Sequence, residues 1–326
     1  MNKVIKVEAL SKSFRSRVKK PGLGGAVCGI FKPEYKEVRA VDSISFEIER
    51  GDILAFIGPN GAGKSTTIKL ITGILYPDEG SISVLGMDPH GKRKTLAYRI
   101  GTVFGQKSQL WYHLPPSDSF HLLGSIYDVE PATLKERIVT LTETFDIGGF
   151  INTPVRKLSL GQRIRCEIAA SLLHEPEILF LDEPSIGLDV VVKQKIRDLI
   201  LEVNRRLGTT IFLTSHDAGD IEKICRRALV INEGKLVWEG SIKEMKYKLL
   251  NRRIIDIKVD GMLNVDFHGV KILKKRDYSA KLEIDLSETG LEQVIQQIMA
   301  GNTIQDIAIS STPMEEVISM IYEGAV

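Results

Sequence analysis

The sequence predicts an α/β fold: a mostly parallel, mixed sheet with a helical subdomain inserted in it, and a small α+β domain behind it. Three observations carry the prediction. Short apolar runs alternate with stretches of helical spacing from Ile53 to Ile231, the rhythm of a sheet covered by helices. A glycine-rich turn, Gly58 to Ser65, lies between one such run and one such stretch. After about Lys248 the pattern starts again with strands whose apolar residues alternate with charges, which marks a second domain. The 326 residues are enough for a sizeable core and a smaller companion.

Taken in order, Val4 to Ala9 reads as a short strand, and Val41 to Glu49 as another in which Val41, Ile44, Phe46 and Ile48 share a face. The stretch between them, residues 15–38, reads as an insertion in a hairpin connection that is normally short. It opens on Arg15, Arg17, Lys19 and Lys20, then Pro21, then a glycine-rich apolar run from Leu23 to Phe31. Ile53 to Ile57 is compact and apolar, as a buried parallel strand is. A helix follows the glycine turn, with Ile68, Leu70 and Ile71 inward. Residues 107–175 read as the inserted helical subdomain, on the spacing of Leu122, Leu123 and Ile126 and then Leu134, Ile138 and Leu141. Ile178–Leu181, Thr210–Thr214 and Ala228–Ile231 read as strands, and Val190–Leu207 and Ile221–Cys225 as helices. The first domain spans about 1–245 and the accessory domain about 250–326. In the latter, Ile255, Ile257 and Val259, and Leu282, Ile284 and Leu286, alternate as in strands. Leu291, Val294, Ile295 and Ile298 fall at helical spacing. Met314, Val317, Ile318 and Ile321 repeat that spacing behind Thr312, Pro313 and Glu315, which fit an N-cap, a first-turn proline and a capping-box acid. No catalytic constellation stands out there.

Net charge is +2, so no whole-chain field points to nucleic acid or an anionic surface. The N-terminus has no signal-peptide pattern, and no apolar stretch reaches the roughly 20 residues of a membrane-spanning helix. A transport function therefore requires a pore from another chain. Cys28, Cys166 and Cys225 are far apart and lack metal-ligand spacing, and read as reduced thiols.

The chemistry is concentrated in a few motifs. Gly58-Pro59-Asn60-Gly61-Ala62-Gly63-Lys64-Ser65 matches the phosphate-binding P-loop pattern and has the strand and helix that the pattern requires on either side. Its backbone N–H groups and the helix N-terminus suit anionic oxygens. Lys64 is expected to reach the β- and γ-phosphates, Ser65 to ligate Mg²⁺, and Thr66 to lie near the α-phosphate. The strand Ile178–Leu181 ends in Asp182 and Glu183. Asp182 stands where a P-loop ATPase holds Mg²⁺, and Glu183 stands one step on, where a carboxylate polarises the attacking water.

Leu158-Ser159-Leu160-Gly161-Gln162 resembles the signature sequence of ABC ATPases, Ser185-Ile186-Gly187-Leu188-Asp189 resembles their D-loop, and Gln106 and His216 resemble the Q-loop glutamine and the switch histidine. The chain is thereby identified as resembling the ATP-binding subunit of an ABC transporter over roughly residues 4–240. One departure is Leu160, where the family most often has glycine; Ser159 and Gly161 are kept. The resemblance implies an ATP- and Mg²⁺-dependent ATPase in which Ser159, Gly161 and Gln162 of one subunit cap the nucleotide held by another. In it Asp189 also contacts the nucleotide site, Gln106 helps hold Mg²⁺, and Glu183, His216, Lys64 and Gln106 serve hydrolysis. Phe14 stands where the family stacks an aromatic on adenine, with Tyr35 as the runner-up. His90, His113, His121, His174 and His268 read as structural or surface residues. Trp111 and Tyr112 read equally as subdomain core or as anchors for a permease.

The implied partners are a second ATPase subunit, most simply an identical one, and integral-membrane permease chains, with no nucleic acid. The implied place is the cytoplasmic face of the cell membrane, peripheral through the permease. The wording of the P-loop and signature is most similar to bacterial ATPases that serve separate small permeases in export. An importer ATPase and a non-transport ABC ATPase acting on ribosomes or DNA are the alternatives.

Overall fold

The computed structural model describes residues 3–17, 35–104, 108–215, 217–247, 252–261, 270–286, 288–311 and 314–322. The chain divides into two compact units, Met1–Glu239 and Gly240–Val326.

The first unit is a mixed α/β domain, the class the sequence predicts. Its elements are β1 (Lys3–Arg17), β2 (Tyr35–Glu49), β3 (Ile53–Ile57), α1 (Lys64–Ile71), β4 (Glu79–Val84), α2 (Arg93–Ala97) and β5 (Ile100–Phe104). There follow α3 (Pro116–Ile126), α4 (Pro131–Thr144), α5 (Leu160–Ser171), β6 (Ile178–Asp182), α6 (Val190–Leu207), β7 (Thr210–Thr214), α7 (Ala218–Ile224), β8 (Arg227–Asn232) and β9 (Lys235–Ser241). Strands β5, β6, β7, β3 and β8 lie side by side and parallel. Strand β9 completes this six-stranded sheet. It returns through Glu233 and Gly234, both at positive φ (47° and 80°), the geometry of a tight hairpin turn. A second sheet, β2-β1-β4, is antiparallel. The two sheets share one core, in which the rings of Phe46, Phe56, Phe212 and Phe180 follow one another at 6.0, 5.3 and 5.6 Å. The central strand β3 is buried at all five residues, as a strand covered on both faces must be.

The hairpin differs from the sequence reading. Strands β1 and β2 run far beyond Ala9 and before Val41, and pair as far as Arg17 with Tyr35. The ends of the 15–38 segment are therefore strand, and residues 18–34 lie outside the described residues. This arm is held by backbone pairing and by ion pairs such as Arg15–Glu37 at 3.7 Å. It lacks an apolar face, so it has no alternation to read. Likewise β4, with only Ile82 and Val84 buried, gives too short a pattern to stand out.

The second unit contains α8 (Ile242–Tyr247), β10 (Arg252–Asp260), β11 (Val270–Arg276), β12 (Ser279–Asp285), α9 (Leu291–Gly301), β13 (Thr303–Ser311) and α10 (Met314–Tyr322). Its antiparallel sheet has the order β11-β12-β10-β13. Ile255, Ile257, Val259, Leu282 and Ile284 pack with Val294 and Ile298 of α9. Thr312 and Pro313, read as the cap of the last helix, lie outside the described residues. Among the described residues no helix is long and apolar enough to cross a membrane.

Where α5 gives way to β6, His174 joins the helical segment to the sheet. Its Nε2 lies 3.0 Å from the Ile100 carbonyl oxygen, and its ring stacks on Tyr127 at 3.9 Å between centroids. Burial holds the imidazole below its usual range, against the hydrogen bond to Ile100 and with help from the charge of Arg137. The folded state thus binds fewer protons here than the unfolded chain. The stability this contributes is complete above about pH 6.5 and is lost as pH falls below that value. His174→Gln is expected to lose less stability than the wild type between pH 7.5 and 5.5 in urea melts; parallel losses would contradict this role.

Candidate functional site

Strand β3 ends at Ile57 and delivers the chain straight into Gly58 at the carboxyl edge of the sheet. The turn back into α1 needs backbone shapes that side chains resist. Gly63 sits at φ 109°, and a Cβ there would run into the Ala40 carbonyl oxygen. Gly61 sits at φ 84°, with nothing near its missing Cβ, so that side of the loop is open. Helix α1 begins at Lys64 without a side-chain cap, which leaves its first N–H groups for an anion. Asn60, Gly61, Gly63, Lys64, Ser65 and Thr66 line one wall of a cleft of about 560 Å³. Asp182 and Glu183 line it too, with Ala40, Lys69, Ile74, Phe104 and Ile186 completing the walls.

The acids reach the cleft through strand order. Strand β7 lies between β6 and β3, and Thr214 at its end is in register with both Asp182 and Phe56. Thr214 Oγ1 donates to Asp182 Oδ1 at 2.6 Å. Ser65 Oγ donates to Asp182 Oδ2 at 3.0 Å. Thr214 was not singled out in the sequence; its signal is the polar residue ending an otherwise apolar strand. The Glu183 N–H donates to the Thr214 carbonyl oxygen and Oγ1 at 3.1 and 3.0 Å. Glu183 itself sits at φ 52°, a left-handed conformation that costs a non-glycine residue about 1–2 kcal/mol. Such strain is typical of functional positions. Lys64, buried, donates to the carbonyl oxygens of Gly58 and Pro59 at 2.6 and 3.2 Å, and its Nζ lies 3.7 Å from Glu183 Oε1.

Ser159, Gly161 and Gln162 do not line this cleft. Ser159 is the N-cap of α5, in a reciprocal capping box with Gln162: Gln162 N donates to Ser159 Oγ at 3.2 Å and Ser159 N to Gln162 Oε1 at 2.9 Å. Gly161 is packed so closely that a Cβ would lie 2.6 Å from Val192 Cγ1 of α6. The Leu160 side chain lies beside Gly187, which sits at φ 73°, so the departure from glycine is accommodated by contact with the D-loop. Asp189 is the N-cap of α6 and accepts from Val192 N at 3.0 Å.

Gln106 and His216 lie outside the described residues; Phe104, before the first, lines the cleft. Phe14, 39% exposed and paired with Val38, lies on the hairpin arm, with Lys12 Nζ 5.9 Å from its ring centroid. It is not among the cleft walls, and neither is Tyr35. Trp111 and Tyr112 are 40% and 58% exposed, which decides against subdomain core. His90 binds the Leu75 carbonyl oxygen, and His121 is exposed; Cys28 and His268 are outside the described residues. Cys166 and Cys225 are free and buried. Burial pushes the Cys166 thiol up to about 12 and the Cys225 thiol higher still, so neither is a ready nucleophile.

Among the described residues no three His, Cys, Asp or Glu converge on a metal site. The bridged Ser65–Asp182 pair nevertheless fits Mg²⁺, which takes one or two protein oxygens and completes its shell with phosphate and water.

A phosphate-binding loop faced by two acids at the next strand end but one defines a P-loop nucleotide-hydrolysing protein. The particular family follows from similarity. Residues 41–186 match the family described as ABC transporter. The daunorubicin resistance ATP-binding protein DrrA3 of Streptomyces coeruleorubidus is 30% identical over 87% of this chain and 91% of its own. The Nod factor export ATP-binding protein I of Ralstonia nicotianae (strain ATCC BAA-1114 / GMI1000) is 32% identical over 74% of this chain and 76% of its own. CbiO1 of Clostridium perfringens, described as part of the ABC transporter complex cbiONQ, superposes with a TM-score of 0.60 at 28% identity, over 76% of this chain and 95% of its own. The chain belongs to the ATP-binding subunits of ABC transporters and is an ABC ATPase, with exporter-type relatives.

Gly63→Ala combines a disfavoured φ with a backbone clash, and is expected to cost about 2–5 kcal/mol or to distort the loop. Nucleotide affinity, measured with a fluorescent ATP analogue, should fall at least about tenfold, that is about 1.4 kcal/mol. Unchanged affinity would contradict this account of the loop.

Proposed function

We propose that two copies of this chain close head to tail on two Mg-ATP and drive a separate integral-membrane permease in export. The observation that carries this reading is the separation of the site into two halves. One chain presents the loop, Ser65, Asp182 and Glu183 at its cleft, while Ser159 and Gly161 stand on their own capped helix and line no part of that cleft. A helix N-terminus with an exposed serine suits the γ-phosphate of a nucleotide bound by another copy.

In this reading the Gly58–Thr66 segment holds the phosphates through backbone N–H groups, and Lys64 turns from the Gly58 and Pro59 carbonyls to the β- and γ-phosphates. Phe14 stacks on the adenine. Ser65, Asp182 and Gln106 hold Mg²⁺, which when bound neutralises charge on the phosphate oxygens. Thr214 keeps the Asp182 carboxylate aimed at Ser65. Glu183 orients the attacking water and accepts its proton, and His216 steadies the γ-phosphate. Ser159, Gly161 and Gln162, with Asp189, close the site from the partner copy. Most of the rate enhancement comes from positioning and from charge stabilisation in a closed site.

Export is supported by the relatives named for drug resistance and for Nod factor export, the first of which resembles this chain across both units. The exposed Trp111 and Tyr112 are the anchors for the permease, which holds the chain at the cytoplasmic face of the cell membrane.

Removing the base without the binding groups should uncouple the steps. Glu183→Gln is expected to form a stable dimer with ATP, seen by light scattering, and to turn over at least about 100-fold more slowly. A monomer under those conditions contradicts the mechanism. Trp111→Ala combined with Tyr112→Ala should weaken co-purification with the permease by about tenfold or more while the detached chain still hydrolyses ATP; full recovery of the complex would rule out these anchors.

A further inference from the structure

A buried polar cluster behind the cleft is used by none of the steps above. Asp220, in the first turn of α7, is 1% exposed. Its Oδ1 accepts from Arg197 Nε of α6 at 2.6 Å. Its Oδ2 accepts from Ser215 Oγ at 3.2 Å and from Ser185 Oγ. Ser185, Ser215 and Arg197 are all buried. Arg197 also donates from Nη2 to Asp217 Oδ1 at 3.1 Å, and Lys193, one turn earlier on α6, donates to Asp217 Oδ2. Asp217 in turn caps α7 by accepting from Asp220 N at 3.2 Å, and its own N–H donates to Ser215 Oγ at 3.0 Å. Burial works to raise the Asp217 carboxyl, but its hydrogen bond with Lys193 and the charges of Lys193 and Arg197 outweigh this and hold it below the usual range. Gly219 keeps the space clear, since a Cβ there would lie 2.9 Å from Arg197 Nη2.

The cluster joins two particular loops. Ser185 stands two residues after Glu183, in the segment that runs on to Asp189. Ser215 stands directly before His216 and directly after Thr214. One carboxylate therefore grips both loops that leave the strand ends at the cleft. Well-packed apolar residues generally stabilise a fold as well as a buried charge pair does, so stability alone gives no reason for two acids and two cations here. A fully satisfied polar network rigidifies the groups it joins and specifies their geometry through directional bonds.

We propose that Asp220 is a positioning residue for ATP hydrolysis: held by Arg197, it ties Ser185 to Ser215 and so sets the loop that carries Glu183 against the end of β7. This rests on the role given above to Glu183. Asp220 is buried and does not line the cleft; it acts through the two serines.

The test is a double-mutant cycle on the full chain with Ser185→Ala and Ser215→Ala, together with Asp220→Asn and Ser185→Thr. Each alanine variant is expected to lower kcat about tenfold while affinity for a fluorescent ATP analogue stays within about threefold. The double variant should be little worse than the worse single one, because the serines act through one carboxylate. Ser185→Thr, which keeps the hydroxyl, should restore most of the turnover. Should Asp220→Asn fold poorly, the serine cycle decides alone. Multiplicative serine losses, or a lowered melting temperature with unchanged kcat, would overturn the role of Asp220. A Glu183→Gln chain that binds ATP and forms the dimer, yet turns over normally, would instead overturn the reading of Glu183 on which it rests.

Discussion

The Asp182 carboxylate, held between Thr214 Oγ1 and Ser65 Oγ, is the interaction on which the rest of the site depends. It joins the end of β6, the end of β7 and the first turn of α1. The loop and the acid that follows are thus fixed relative to one another by a single group with both oxygens engaged. Parallel strand order makes this possible. Because β7 lies between β3 and β6, its terminal threonine can reach across while the P-loop and the acids stand on either side, at the carboxyl edge where open α/β sheets bind their ligands.

The same constraint shapes the neighbouring groups. Glu183 must leave the strand at once to reach the cleft, and it does so in a left-handed conformation secured by two bonds from its N–H to Thr214. Its segment then passes under the signature helix, where Leu160 meets Gly187 and Gly161 meets Val192. The signature and the D-loop of one chain therefore form a single packed surface. Its signature residues Ser159, Gly161 and Gln162 do not line the cleft of their own chain, whereas Ile186 of the D-loop does.

Much of this was legible in the sequence because its signals are local. The P-loop is one contiguous stretch with a strand before it and a helix after it. Asp182 and Glu183 end an apolar run, and the signature carries its own capping residues, Ser159 and Gln162. What was not legible depends on contacts between distant residues. Thr214 reveals its part only once β7 is placed beside β6. The hairpin arm beyond Ala9 lacks an apolar face, so its strands leave no period to detect. Trp111 and Tyr112 have the composition of either core or interface, and only their exposure separates the two. The Asp220 cluster unites residues from four segments, and no spacing announces it.

The most direct test of the two-chain site is complementation between variants that are each inactive. Lys64→Ala damages the loop half, and Ser159→Arg damages the signature half. Mixed together, the two chains can form a dimer in which one site has an intact loop from one copy and an intact signature from the other. The mixture is expected to recover ATP hydrolysis well above either variant alone, rising with the fraction of mixed dimer. A mixture that stays as inactive as its components, while still forming mixed dimers, would contradict a site shared between two copies.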